Sequence, residues 1–182
     1  MTTPQDIEYV KKHVREVPDF PKKGIIFMDI TTATKDAKAM NLMTEYLYQQ
    51  FKDQNIDYIA GIESRGFIFG AALAYRMNKG FVPIRKPNKL PCKKITESYS
   101  LEYGKDSLEM HEDSFPKDSN ILIIDDLLAT GGSATAACNL VKKAGGKIAA
   151  VAFVIELDPL KGRQKLESQG IKVVSMLHYN TF

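Results

Sequence analysis

ILIIDDLLATGGSATAA, residues 121–137, is the stretch whose reading decides the fold. Ile121–Ile124 is a continuous apolar run, the pattern of a strand buried on both faces of a parallel sheet. The run ends on two acids, Asp125 and Asp126. A turn containing Ala129, Thr130, Gly131 and Gly132 follows, and a helix begins at Ser133. Strand, turn and helix in this order make an α/β unit, and such sheets bind ligands at the carboxyl ends of their strands. The glycines let backbone N–H groups approach an anion, the helix N-terminus adds free donors, and Thr130 and Ser133 add hydroxyls. A phosphate in the turn, with two carboxylates one step upstream to accept from vicinal hydroxyls, describes a sugar phosphate. Taken alone, the pattern equally fits an acid-ended strand with a tight turn. It is neither a Walker A loop, lacking Gly-Lys-Ser/Thr, nor GxGxxG.

The same rhythm extends outward. Upstream, YIAGI (58–62) reads as a strand, Phe67–Met77 as a buried helix and FVPIR (81–85) as a strand. Downstream, Ser133–Lys143 reads as a helix, Ile148–Ile155 as a strand, Leu160–Ser168 as a helix and Ile171–Leu177 as the last strand. Alternation of this kind predicts a largely parallel central sheet flanked by helices. Nearer the N-terminus, a helix is expected from Thr3, with Pro4 at its first position, Asp6 in its first turn and an apolar face of Ile7, Val10 and Val14. PDFPKKG (18–24) is a loop, and Met40, Met43, Leu47 and Phe51 mark a second amphipathic helix. Residues 86–120 break the rhythm. Within them YSLEYG (99–104) and SLEMH (107–111) can pair as a projecting hairpin.

Composition sets the outer limits. The 182 residues make one domain of ordinary size, 44% hydrophobic and 26% charged, with 25 Lys plus Arg against 22 Asp plus Glu. A formal charge of +3 is too balanced for a nucleic-acid surface. The longest apolar run of the C-terminal third, Ile148–Ile155, is far short of a membrane span. The start, MTTPQDIEYVKK, lacks an apolar signal region, so a cytoplasmic location is expected. Cys92 and Cys138 make neither a disulfide framework nor a zinc site. His13, His111 and His178 are scattered and suggest no triad or metal set.

Read whole, DDLLATGGS (125–133) resembles the phosphoribosyl-pyrophosphate (PRPP) signature of the type I phosphoribosyltransferases, in the form carried by the adenine-using members. Five further blocks resemble the same family in the same order: PDFPKKGIIFMDIT (18–31), IDYIAGIESRGFIFG (56–70), IRKPNKLP (84–91), SYSLEYG (98–104) and ELDPLKGRQKL (156–166). The resemblance implies a single phosphoribosyltransferase domain over 1–182, with a small N-terminal hood at about 1–35 and a mobile lid loop at about 86–110. It also implies a homodimer, and a reaction in which adenine and PRPP give AMP and pyrophosphate with Mg²⁺.

Site roles follow from the same resemblance. Asp125 and Asp126 would hold the ribose hydroxyls and, indirectly, the Mg²⁺, which is carried mainly by PRPP and water. Ala129, Thr130, Gly131, Gly132 and Ser133 would hold the 5′-phosphate. Ser64 and Arg65 fall in the pyrophosphate loop, and Arg65 is a candidate catalytic residue; from its own sequence context, Arg65 equally suits an ion pair with Glu63 or another surface acid. Arg85, Lys86 and Lys89 are candidates for pyrophosphate neutralisation, Arg85 across a dimer interface. Ile26, Phe27, Met28 and Leu127 would form the adenine pocket: Phe27 stacks on the ring, Leu127 covers its other face, and backbone groups read its edge. Met28 replaces a basic residue carried by many members, which leaves the backbone role there. Glu102 would accept the N9 proton or orient the base, with Tyr103 beside it.

Two other classes remain open on sequence. One is a PRPP-sensing regulator with no transfer chemistry, although no basic or winged-helix extension is present. The other is the same chemistry on hypoxanthine, guanine or xanthine. One local pattern adds to the enzyme reading. Residues 85–105 hold six basic side chains against two acids, and 106–118 hold five acids against one lysine, so the small total charge conceals a basic segment followed by an acidic one. Clustered positive charge raises the local concentration of a polyanionic substrate.

Overall fold

The computed structural model describes residues 2–101 and 104–180. The chain starts with α1 (Pro4–His13), whose entry is a capping box. The Thr3 hydroxyl accepts from the Asp6 N–H, and the Asp6 carboxylate accepts from the Thr3 N–H. A two-stranded antiparallel ribbon follows, β1 (Arg15–Pro18) with β2 (Ile26–Asp29), then the single turn α2 (Thr31–Thr34) and the long α3 (Ala37–Phe51), capped by the Asp36 carboxylate. The loop between β1 and β2 contains a cis Phe20–Pro21 bond. The ribbon was not legible in the sequence, because four-residue strands are too short to display a period.

The expected parallel sheet is present. β3 (Tyr58–Ile62), α4 (Gly66–Met77), β4 (Gly80–Ile84), β5 (Lys94–Leu101), β6 (Gly104–His111), β7 (Asn120–Leu128), α5 (Gly132–Lys143), β8 (Lys147–Leu157), α6 (Gly162–Glu167) and β9 (Val173–Tyr179) follow in order. Five of these strands form one sheet in the order β4-β3-β7-β8-β9, every neighbouring pair parallel. β4 stands at an edge, which is where Pro83, lacking an N–H, fits inside a strand. β7 is central and alternates between two cores. Leu122 and Ile124 face a cluster built with α1, α3 and α4, while Ile121 and Ile123 face one built with α5, α6 and the hairpin. Burial on both faces explains why this strand is a solid apolar run.

Two expectations are corrected in detail. The hairpin is longer than the sequence reading: β5 and β6 pair from Lys94↔His111 through Leu101↔Gly104. The Leu160–Ser168 helix is divided, with a 3-10 turn over Asp158–Leu160 and α6 beginning only at Gly162. Lys161 between them is left-handed at φ 57°, which interrupts a continuous helix. Among the described residues, no helix is long and apolar enough to cross a membrane.

Candidate active site

The site lies at the carboxyl end of the parallel sheet. β7 carries Asp125 and Asp126 to its end, both with less than a tenth of their surface exposed. The chain then turns through Ala129–Gly131 into α5. Gly131 is left-handed (φ 75°) and no side chain caps the helix, so its N-terminal donors face the turn. The turn is held from behind by α6. A Cβ on Gly131 would stand 3.2 Å from the Gly162 carbonyl oxygen, and one on Gly162 would collide with the carbonyl of Ala129. These two loops therefore pack backbone against backbone.

Two adjoining cavities open here. One, about 240 Å³, is lined by Arg65, Tyr99, Asp125 to Ala134 and Phe153. The other, about 350 Å³, is lined by Ile62 to Arg65, Lys86, Tyr99, Asp125, Asp126 and Ser133. Ser64, Arg65, Lys86, Leu127, both aspartates and the whole 129–133 turn thus converge on these two cavities.

The electrostatics are set by burial. Asp125 accepts from the Asp126 N–H at 2.9 Å. Burial, and then the charge of its neighbour, push the Asp125 carboxyl well above the usual carboxylate range. Burial also raises Asp126, against the pull of Arg65. Arg65 Nε lies 2.6 Å from Asp126 Oδ2, so the partner of Arg65 is a buried acid of the site and not Glu63. The contact is a short ion pair, and the oxygen is otherwise buried with no further hydrogen-bond partner among the described residues. A pair of oxygen-only donors of this kind suits a hard divalent cation that completes its octahedron with water and substrate oxygens.

The residues expected to meet a base are only partly brought together. The Phe27 ring meets Phe20 edge-on at 5.2 Å, and the Arg65 guanidinium carbon sits 5.4 Å from its centroid. Ile26 is half-buried, and the Met28 side chain is buried in the core, leaving only its backbone to address a ligand. Phe27 lines neither cavity, whereas Leu127 lines the first.

Arg85 and Lys89 are placed elsewhere. Arg85 forks onto Glu63 at 3.1 and 3.2 Å and donates to the Lys89 carbonyl at 3.1 Å, while Lys89 is exposed, and neither lines a cavity. The Arg85 guanidinium holds the Glu63 carboxyl below its ordinary range. The Glu63–Ser64 peptide is cis. Glu102 and Tyr103 lie outside the described residues. The basic and acidic segments of the sequence meet across the hairpin, since Lys94 pairs with Glu109 at 3.1 Å and Lys86 pairs with Asp106.

The sequence reading missed several participants. Tyr99 lines both cavities, and its only signal was its place in SYSLEYG. Phe153 floors the first cavity from β8 and looked like ordinary core. Arg163 forks onto buried Glu156 at 2.9 and 2.6 Å and donates to the Val173 carbonyl at 2.9 Å, tying α6, and with it Gly162, to the sheet. Among the described residues, Glu156, Asp158 and His178 bring metal-ligating atoms within 4.8 Å of one another. Arg163 already occupies both Glu156 oxygens, so this group is a charge network and not an open ligand set.

Residues 31–179 match the model of the phosphoribosyl transferase domain. The chain is 52% identical over 171 residues to an adenine phosphoribosyltransferase of Koribacter versatilis, covering 94% of this chain and 93% of the relative. The crystal structure of adenine phosphoribosyltransferase from Thermoanaerobacter pseudethanolicus superposes with a TM-score of 0.91 at 48% identity, over 95% of this chain and 99% of that one. The Trypanosoma brucei adenine phosphoribosyltransferase, solved with AMP, pyrophosphate and ribose-5-phosphate, superposes at 0.88 with 29% identity, over 97% and 80% of the two chains.

Proposed function

This chain belongs to the adenine phosphoribosyltransferase family, and from that membership we propose how its residues carry the reaction. It transfers the 5-phosphoribosyl group of PRPP to adenine, giving AMP and pyrophosphate, and so salvages a purine base. The bond from the anomeric carbon to the pyrophosphate oxygen breaks, the bond to adenine N9 forms with inversion, and the N9 proton leaves to a base.

The observation that carries the reading is the buried Asp125–Asp126 pair set directly before an uncapped glycine turn. The turn, residues 129–133, takes the 5′-phosphate, and the carboxylates accept from the ribose hydroxyls. A raised carboxyl pair is relieved when its oxygens gain hydroxyl or cationic partners, which favours binding at this spot. Ser64, Arg65 and Lys86 face the departing pyrophosphate, where fixed donors stabilise growing charge. Lys89 joins them on closure of a lid spanning about 86–110, and Arg85 acts on pyrophosphate across a homodimer interface. The lid keeps water from the activated sugar. Glu102 on that lid receives the N9 proton or orients the base, beside Tyr103. Adenine lies between Phe27 and Leu127 under a hood of residues 1–35, its edge read by the backbone at Ile26 and Met28. A divalent metal accompanies PRPP, and we assign it as Mg²⁺; Asp125 and Asp126 would hold it indirectly, and it would neutralise pyrophosphate charge. One domain, residues 1–182, does this work in the cytoplasm, in keeping with two free thiols, Cys92 and Cys138.

The test is a steady-state assay of PRPP, Mg²⁺ and each purine base in turn. AMP from adenine, with little product from hypoxanthine, guanine or xanthine, is expected. Tight PRPP binding with no AMP would overturn the assignment in favour of a sensor.

A further inference from the structure

We propose that Asp106 and Tyr99 are positioning residues that aim the Lys86 ammonium at the pyrophosphate of the substrate; this rests on the function proposed above. Lys86 Nζ donates to Tyr99 Oη at 2.9 Å and pairs with Asp106 Oδ2, and Tyr99 Oη donates to the same Asp106 oxygen at 3.0 Å. The three groups close a ring of hydrogen bonds. Tyr99 and Asp106 stand directly opposite each other in the β5–β6 register, so the backbone ladder fixes their separation. Asp106 is held further by the Ser107 N–H at 2.8 Å.

Lys86 and Tyr99 line the cavity they share with Arg65 and the two aspartates, whereas Asp106 does not. Asp106 therefore reaches a ligand only through those two side chains. An ammonium carries three N–H donors. Two are taken by the ring, and among the described residues the third has no hydrogen-bond partner and is left for the cavity. Lysine is otherwise a mobile point charge on a four-carbon stem, and fixing it makes a directed donor of it. The fixing frame is referenced to the phosphate turn. Glu97 of β5 accepts from Asn139 at 2.9 Å and pairs with Lys143 at 2.5 Å, both on α5, the helix that the turn opens. In this arrangement of the lid the hairpin thereby sets the distance between the Lys86 charge and the proposed 5′-phosphate site.

The experiment compares Asp106→Ala and Tyr99→Phe, each alone and in a Lys86→Gln background. The readouts are KM for PRPP, kcat, and calorimetric binding of inorganic pyrophosphate. In the wild-type background Asp106→Ala is expected to raise KM for PRPP and weaken pyrophosphate binding by the same factor, about fivefold to tenfold. Tyr99→Phe should have a smaller effect, kcat should stay within about twofold for both, and neither change should add anything once Lys86 is Gln. Unchanged or tighter pyrophosphate binding in Asp106→Ala, or an equal loss in the Lys86→Gln background, overturns the proposal. If Asp106→Ala does not fold, Asp106→Asn takes its place under the same criteria. Absence of AMP formation by the wild type would refute the proposed function separately, since pyrophosphate calorimetry reads the positioning role without turnover.

Discussion

Arg65 joins the two halves of the site to each other: its Nε is 2.6 Å from Asp126 Oδ2, and its guanidinium carbon is 5.4 Å from the centroid of the Phe27 ring. One planar cation thus reaches both the buried carboxylates of the cavities and the Phe27 ring. A lysine keeps the charge but loses both the fork and the flat face that lies against a ring. Arg65→Lys is therefore expected to lower kcat/KM for PRPP by roughly 100-fold, equivalent to about 2.7 kcal/mol of transition-state stabilisation. Retention of more than a third of wild-type kcat/KM would show that charge alone suffices there.

Asp126 combines burial with a short ion pair to Arg65. Its folded pKa is raised above the ordinary value, chiefly by burial. For an acid shifted this way, the stabilising contribution is complete below the unfolded pKa and is lost as pH rises through the folded pKa. At neutral pH the wild type bears this cost. Asp126→Asn should abolish most AMP formation, by 100-fold or more. Its Tm at pH 8 should equal or exceed that of the wild type, with the difference shrinking toward pH 4. A Tm several degrees lower at pH 8 would make Asp126 a structural residue.

Phe27 offers a ring face and Leu127 an aliphatic one, and stacking of a base on an aromatic side chain is worth about 1–3 kcal/mol by alanine substitution. Phe27→Ala should accordingly raise KM for adenine by roughly 5-fold to 150-fold while changing KM for PRPP less than threefold. An equal rise in both constants would place Phe27 in the scaffold of the site and not against the base.

What the sequence made legible was local. The run Ile121–Ile124, the acids after it and the glycine turn are contiguous, so period, charge and backbone freedom all appear in one string. The same holds for the Thr3–Asp6 capping box. What stayed hidden was pairing at a distance. Arg65 has Glu63 two residues away and Asp126 sixty-one away, and the structure joins it to the distant acid because β3 and β7 are neighbours in the sheet. Lys86 and Asp106 read as members of opposite charge runs, and only the hairpin register turns them into one ring with Tyr99. Lys161 gives no sign in sequence of its left-handed backbone, so the pattern predicts a helix from Leu160 where the structure starts it at Gly162.

Gly131 carries the last prediction. It is left-handed at φ 75°, and a Cβ there would stand 3.2 Å from the Gly162 carbonyl oxygen. The backbone conformation costs a non-glycine residue roughly 1–2 kcal/mol. The neighbouring carbonyl cannot easily retreat, because Arg163, one residue on, is forked onto Glu156 and bound to the Val173 carbonyl. Gly131→Ala should thus lower Tm by about 2–8 °C, using roughly 2–4 °C per kcal/mol for a domain of this size. It should also raise KM for PRPP, since the turn proposed to offer N–H groups to the 5′-phosphate is the part displaced, while KM for adenine stays near the wild-type value. An alanine variant with unaltered Tm and unaltered KM for PRPP would mean that the turn relaxes freely, and the rigid contact between Gly131 and Gly162 would then have no part in holding the phosphate.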